Sequence, residues 1–266
     1  MKLMPTIIVT VKNRLDHFLK SFSFNISQVG IDYRLLYVDY DSEDDFVNRL
    51  HEEIDYRKDI FSPNLKQIRL VKLNKREKYD IRRAKNLGAF YASEYSNVIA
   101  INDADTLLGM NYLKKWSELT QPGKTFVTNR IQESRAAYPK RINPIVNYGN
   151  IVVSVSDFKK IEGYDETSTG WGGDDDDVFH RLKLLGLREI NPYTIEDTSQ
   201  YSIMHSDELR FKDTLFPDMI KPDSLGVQNT QNNVYKNMER IKSKKANYFN
   251  PEYVKKVSTE ELVYEQ

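Results

Sequence analysis

The chain has 266 residues, with Lys+Arg and Asp+Glu both at 39, so it carries no net charge and no global basic field for nucleic acid. It contains no cysteine, which excludes disulfides and thiolate metal sites. Hydrophobic residues make up 39%, which excludes wholesale disorder and supplies a core for one large domain.

Thr6 to Val11 is an unbroken β-branched run, the pattern of a buried parallel strand. Its apolar part is cut off at Lys12, too short for a secretory leader, and no run approaches the roughly 20 apolar residues of a membrane span. A cytoplasmic location is therefore expected. Leu15 to Phe24 reads as a helix, Tyr33 to Val38 as a second strand, and the charged stretch Glu43 to Tyr56 as a second helix. Gln67 to Leu73 is a third strand and Ile81 to Tyr95 a helix carrying Ala84, Leu87, Ala89 and Tyr91. Asn97 to Asn102 is a fourth strand, with Asp103-Ala104-Asp105 at its carboxyl end. Such alternation predicts an α/β fold with an open, mostly parallel sheet flanked by helices. Ligands bind such sheets beyond the carboxyl ends of the strands. Three polar groups fall there: Lys12-Asn13-Arg14, Asp39 with Asp41, and Asp103 with Asp105.

The second half is less regular. Thr125 to Asn129 and Asn150 to Ser154 read as strands, and Ser156 to Glu162 as a short helix capped by Ser156. Asp174 to Leu185 is a helix stopped by Gly186. Tyr201 to His205 reads as a strand, and the chain after Asp207 is polar and rich in Asn and Lys.

Two carboxylates at i and i+2 after a strand can share one divalent cation, because hard ions such as Mg²⁺ and Mn²⁺ take oxygen ligands and bridge carboxylates to phosphates. An acidic turn leading into the next element has the same sequence; the buried strand before Asp103 favours the metal reading. The segment Gly170-Trp171-Gly172-Gly173-Asp174-Asp175-Asp176-Asp177 is harder to explain as structure alone. A helix cap and dipole account for one or two acidic residues. Four together repel, and glycines on both sides of a tryptophan suit a ligand loop and a flat face for a sugar ring. The apolar stripe Val178, Leu182 and Leu185 marks the inward face, and counting back from Val178 puts Asp175 and Asp174 on that side. Asp176 and Asp177 are expected as helix-end charges. A carboxylate beside other carboxylates has a raised pKa, which suits a general base.

These residues resemble a known family. Tyr148-Gly149-Asn150-Ile151, Phe158 to Asp165 and Gly170 to Asp176 are similar to the carboxyl-terminal half of β-1,4-galactosyltransferases and related GT-A glycosyltransferases. Val11 to Arg14, Val38 to Ser42 and Arg83-Ala84-Lys85-Asn86-Leu87-Gly88 resemble, in order, three motifs of the wider family-2 glycosyltransferases. The resemblance implies a GT-A domain over residues 1–206, with a nucleotide-sugar half at 1–106 and an acceptor half at 107–206. Residues 207–266 are expected to form an extension, a movable loop followed by a helix.

The resemblance further implies an inverting transfer of a hexose or N-acetylhexosamine from a UDP-sugar, assisted by Mn²⁺ or Mg²⁺, to a saccharide or lipid-linked saccharide acceptor. Donor contacts would fall on Thr10, Lys12, Asn13, Arg14, Asp39, Asp41, Arg83, Lys85, Asp103 and Ala104. The metal would be held by Asp105, His205 and Asp103. Asp175 would be the base, with Trp171, Gly172, Gly173 and Asp174 at the acceptor. Asp174 stands where the family has Glu, and Ser202 where the galactosyltransferases have a metal-binding Met. Two other readings compete. A metal-dependent nucleotidyltransferase would bring a Gly-rich phosphate loop, which the sequence lacks. A carbohydrate-binding protein would need neither Asp175 nor a metal pair. Lysines between 236 and 245 suit a solvated helix, or peripheral contact with an anionic membrane if the acceptor is lipid-linked.

Overall fold

The computed structural model describes residues 4–74, 80–128, 149–166, 173–191, 200–203 and 251–266. In chain order these form β1 (Thr6–Val11), α1 (Leu15–Asn25), β2 (Tyr33–Asp39), α2 (Phe46–Arg57), β3 (Leu65–Leu73), α3 (Ile81–Ala92), β4 (Val98–Asp103), β5 (Thr106–Leu108) and α4 (Tyr112–Leu119). There follow β6 (Thr125–Thr128), β7 (Ile151–Ser154), α5 (Val155–Lys160), α6 (Asp174–Leu184), β8 (Arg188–Ile190), β9 (Gln200–Ser202), α7 (Pro251–Val257) and β10 (Ser258–Glu265).

Eight strands make one mixed sheet in the order β10-β3-β2-β1-β4-β7-β6-β8. Its first half is parallel, as expected: β2 pairs with β3, and β1 lies between β2 and β4. Beyond β4 the sheet turns antiparallel through β7 and β6. Every residue of β1 and β2 is buried because both faces are covered. Side chains of a strand alternate between faces. Ile8, Leu36 and Val38 therefore join the cluster under α3, while Ile7, Val9, Leu35 and Tyr37 join Phe18, Phe22 and Phe46 of α1 and α2.

Helix α3 lies close on the sheet. A β-carbon on Gly88 would stand 2.4 Å from Ile8 Cγ2, so only glycine lets the helix approach this far. The helix begins at Asp80, whose carboxylate accepts a bond from Arg82 N at 3.0 Å and pairs with the Arg82 guanidinium. It ends at Ala92 rather than Tyr95, because the residues after it tighten into i→i−3 bonds, such as Tyr95 N to Ala92 O.

One expectation is corrected. The cap of α5 is Ser154, not Ser156: Ser154 Oγ accepts from Asp157 N at 3.1 Å, and the helix starts at Val155. After residue 207 a loop and a helix are expected; the described C-terminal residues are helix α7 and a strand not among the expected elements. That strand, β10, runs antiparallel to β3 as the edge of the main sheet. It is pinned at depth by Tyr91, which donates to Ser258 O at 3.0 Å, and by Tyr95, which donates to Glu260 Oε1 at 2.9 Å. Among the described residues no helix is long and apolar enough to cross a membrane.

Candidate active site

The carboxyl edge of the parallel strands collects the polar groups singled out in the sequence. Asn13 and Asp41 both hold left-handed backbones, with φ of 50° and 61°. Short polar side chains tolerate that conformation by bonding locally. Asn13 Oδ1 accepts from Glu43 N at 2.7 Å, and Asn13 N donates to Ser42 Oγ at 3.1 Å. Lys12 donates to the carbonyl of Asp41, and Asp39 Oδ1 accepts from Ser42 N at 3.0 Å. The loops after β1 and β2 are thus braced into one wall holding Lys12, Asn13, Arg14, Asp39 and Asp41. Asp39 is buried there, and burial pushes its carboxyl above the usual range.

Next to this wall, Thr10 stands opposite Asp103 in the β1–β4 register. Asp103 ends β4, and Asn150 from the start of β7 steadies it: Asn150 Oδ1 accepts from Asp103 N at 3.3 Å, while Asn150 Nδ2 donates to Thr106 Oγ1 at 3.3 Å. Ala104 turns into the core with Leu108 and Tyr112. Asp105 is buried, and its carbonyl accepts from Ile203 N at 2.7 Å. Strand β5 pairs antiparallel with β9 and aligns Thr106 with Ser202, so β9 runs along the acidic turn. His205 lies outside the described residues.

Lys85 projects from α3 into this edge. It is 1% exposed, with its ammonium 3.0 Å from Asp175 Oδ1 and 3.7 Å from Asp103 Oδ1. Burial alone would lower a lysine, but the two carboxylates outweigh it and hold the ammonium well above its ordinary pKa. Sequence resemblance assigns Lys85 and Arg83 to the donor; in this structure both also meet protein carboxylates. Arg83 donates to Glu166 Oε2 at 2.9 Å and lies 6.0 Å from the ring centre of Tyr253 on α7.

Asp175 lies in the first turn of α6, as helical phase predicts. Gly173 caps this helix at φ 82°, a conformation that favours glycine. Burial is the largest cause pushing the Asp175 carboxyl up to about 7; Lys85 opposes it, and Asp174 and Asp103 add to it. Tyr164 donates its hydroxyl to Asp175 Oδ1 at 3.3 Å, and its ring lies 5.0 Å from the Lys85 ammonium. On the remaining side Gly149 touches the carboxylate so closely that a β-carbon would be 2.7 Å from Oδ2. Asp174 is half-buried at the same helix start.

Asp177 departs from expectation. It is buried rather than a solvated helix-end charge, and it accepts from Arg181 Nε at 3.0 Å while Arg181 also reaches Ile161 O. A carboxylate four residues before an arginine on one helix is the sequence signal for this pair. Trp171 and Gly172 lie outside the described residues. Tyr164, Gly149 and Asn150 stand in quoted motifs yet receive no role from sequence, because each role depends on a partner far along the chain.

The arrangement offers two carboxylates at a strand end, Asp103 and Asp105, whose hard oxygens suit a divalent cation. Among the described residues no group of three His, Asp or Glu side chains gathers as a complete metal set. Asp175 adds a carboxylate poised to accept a proton near neutral pH.

Residues 130–206 match the family described as the N-terminal domain of galactosyltransferase. β-1,4-Galactosyltransferase 7 of Drosophila melanogaster is 28% identical over 152 residues, which are 53% of this chain and 44% of that protein. The chain thus spans less than half the length of that curated relative. Among solved structures, the mannosyltransferase PcManGT from Pyrobaculum calidifontis, in complex with GDP-Man and Mn²⁺, superposes with a TM-score of 0.55 at 18% identity. That match covers 72% of this chain and 55% of that one. S. aureus TarS in complex with UDP-GlcNAc gives a TM-score of 0.55 at 11% identity, covering 77% and 59%. The chain has the GT-A fold of these glycosyltransferases.

Proposed function

We propose that the protein is an inverting, metal-dependent glycosyltransferase that moves a hexose or N-acetylhexosamine from a UDP-sugar to a saccharide hydroxyl. The linkage formed would be β, in polysaccharide or glycolipid synthesis. One observation carries the reading: Asp175, with its pKa pushed up to about 7, is held by Lys85 and Tyr164 beside the acidic strand end at Asp103. The galactosyltransferase match over 130–206 and the nucleotide-sugar complexes of the fold neighbours support it.

In this reaction Asp175 takes the proton of the acceptor hydroxyl. The freed oxygen attacks the anomeric carbon from the face opposite the diphosphate, the carbon–oxygen bond to the diphosphate breaks, and UDP departs. The wall of Lys12, Asn13, Arg14, Asp39 and Asp41 would bind the nucleotide. Asp103 and Asp105, with His205 as the proposed third ligand, would hold Mn²⁺ or Mg²⁺. When bound, the ion supplies positive charge for the departing diphosphate. Asp174 and Trp171 would orient the acceptor sugar.

Asp175→Asn tests the assignment, because it keeps the shape and removes the base. Transfer from UDP-sugars should fall by about 10²–10⁴-fold, with UDP binding by calorimetry unchanged. Near-normal turnover in this variant would rule Asp175 out as the base.

A further inference from the structure

We infer that Lys85 is a positioning residue, an internal counter-ion that fixes the Asp175 carboxylate on one side and competes with an incoming divalent cation for Asp103 on the other. The inference rests on the reading of the site as a metal-dependent transferase and names a residue that the reaction itself does not use.

The two contacts of Lys85 are unequal. At 3.0 Å the ammonium makes a hydrogen bond to Asp175, whereas at 3.7 Å it attracts Asp103 without one. Asp175 is therefore held the more tightly of the two. The anchor of Lys85 is rigid. Three residues along α3, Gly88 presses on Ile8, and the next residue, Asn86, ties the turn carrying Tyr164 by two bonds of 2.8 Å, one to Tyr164 N and one to Tyr164 O. One turn of one helix thus sets Lys85 and also Tyr164, the second group that holds Asp175. Lys85 is 1% exposed, and its ammonium lies against Asp175, Asp103 and the Tyr164 ring. A positive charge beside Asp103 weakens cation binding there, and it balances the neighbouring carboxylates of Asp103 and Asp175.

The experiment compares wild type, Lys85→Met, Asp175→Asn and the double variant. Mn²⁺ binding to nucleotide-free protein is read by calorimetry, together with kcat, donor KM and thermal midpoint. Lys85→Met should bind Mn²⁺ about tenfold more tightly, since a repelling charge is gone. Its kcat should fall about 100-fold with donor KM changed less than about threefold, the sign of a group that acts on chemistry rather than on donor binding. In the Asp175→Asn background the same substitution should cost no further kcat, because two residues acting through one group are not additive. If Lys85→Met does not fold, the double variant has neither buried partner charged, and its Mn²⁺ affinity against Asp175→Asn carries the test.

Unchanged or weaker Mn²⁺ binding in Lys85→Met relative to wild type, or in the double variant relative to Asp175→Asn, would overturn the role. So would a donor KM raised about tenfold at constant kcat, which marks a direct phosphate contact. Transfer by wild type without the Mn²⁺ shift would sink the role of Lys85 alone. The shift without transfer by wild type would support the role while overturning the proposed reaction. Wild type that binds no Mn²⁺ would overturn both.

Discussion

Gly149→Ala isolates the placement of Asp175 from its chemistry. The new β-carbon would lie 2.7 Å from Oδ2, 3.2 Å from Cγ and 3.3 Å from Oδ1 of Asp175. The φ of Gly149 is not in the positive region, so alanine is allowed by the backbone and the strain falls on the carboxylate. Relief to an ordinary contact needs a shift of about 0.7 Å, and a misplacement of about 1 Å in an active site can cost about 10²-fold. The carboxylate cannot move freely, because Lys85 at 3.0 Å and Tyr164 at 3.3 Å hold the other oxygen. We expect kcat to drop about 10- to 100-fold, with the thermal midpoint shifted only as far as a local overpacking of about 1 kcal/mol allows. Initial rates, donor KM and a melting curve on the same preparation measure all three. Gly149→Ala should add nothing to Asp175→Asn. Full activity in Gly149→Ala, or a further large loss in the double variant, would contradict the placement of Asp175 as the reacting carboxylate.

Two other outcomes follow from the same structure. Asp175 has a folded pKa raised above its unfolded value, so the folded state binds the extra proton, and its contribution to stability is present below about pH 4 and lost as pH rises through about 7. Denaturant titrations should show wild type losing stability relative to Asp175→Asn across that window, by up to about 1.4 kcal/mol per pH unit; a flat difference would contradict the shift. Removal of residues 258–266 should cost at least about 3 kcal/mol, because it unpairs β3 along its length and breaks the half-buried Arg69–Glu260 pair at 3.1 Å. A truncated protein as stable as the full chain would show that β10 is dispensable to the sheet.

Much of the fold was legible because its signals are local. The β-branched run at 6–11 and the apolar run at 33–38 read as strands wherever they lie, and Gly186, at φ 86°, stops α6 as its position suggests. Helical phase alone separated Asp174 and Asp175 from their neighbours. Phase stops short of depth, however, and Asp177 shows the limit: expected as a helix-end charge, it is buried, bonded to Arg181, which also reaches Ile161 O.

What the sequence by itself determined is the alternation of strands and helices, the carboxyl-end polar loops and the inward turn of Asp175, all of which depend on residues within a few positions of each other. Only the tertiary structure decided the partners. Lys85 meets Asp175 across 90 positions, and β10 meets β3 from the far side of the sequence, Ser258 opposite Leu73. A charged side chain in a motif reads the same whether it faces a phosphate or a carboxylate. The difference lies in what the fold places 3 Å away, and for Lys85 that is the Asp175 carboxylate.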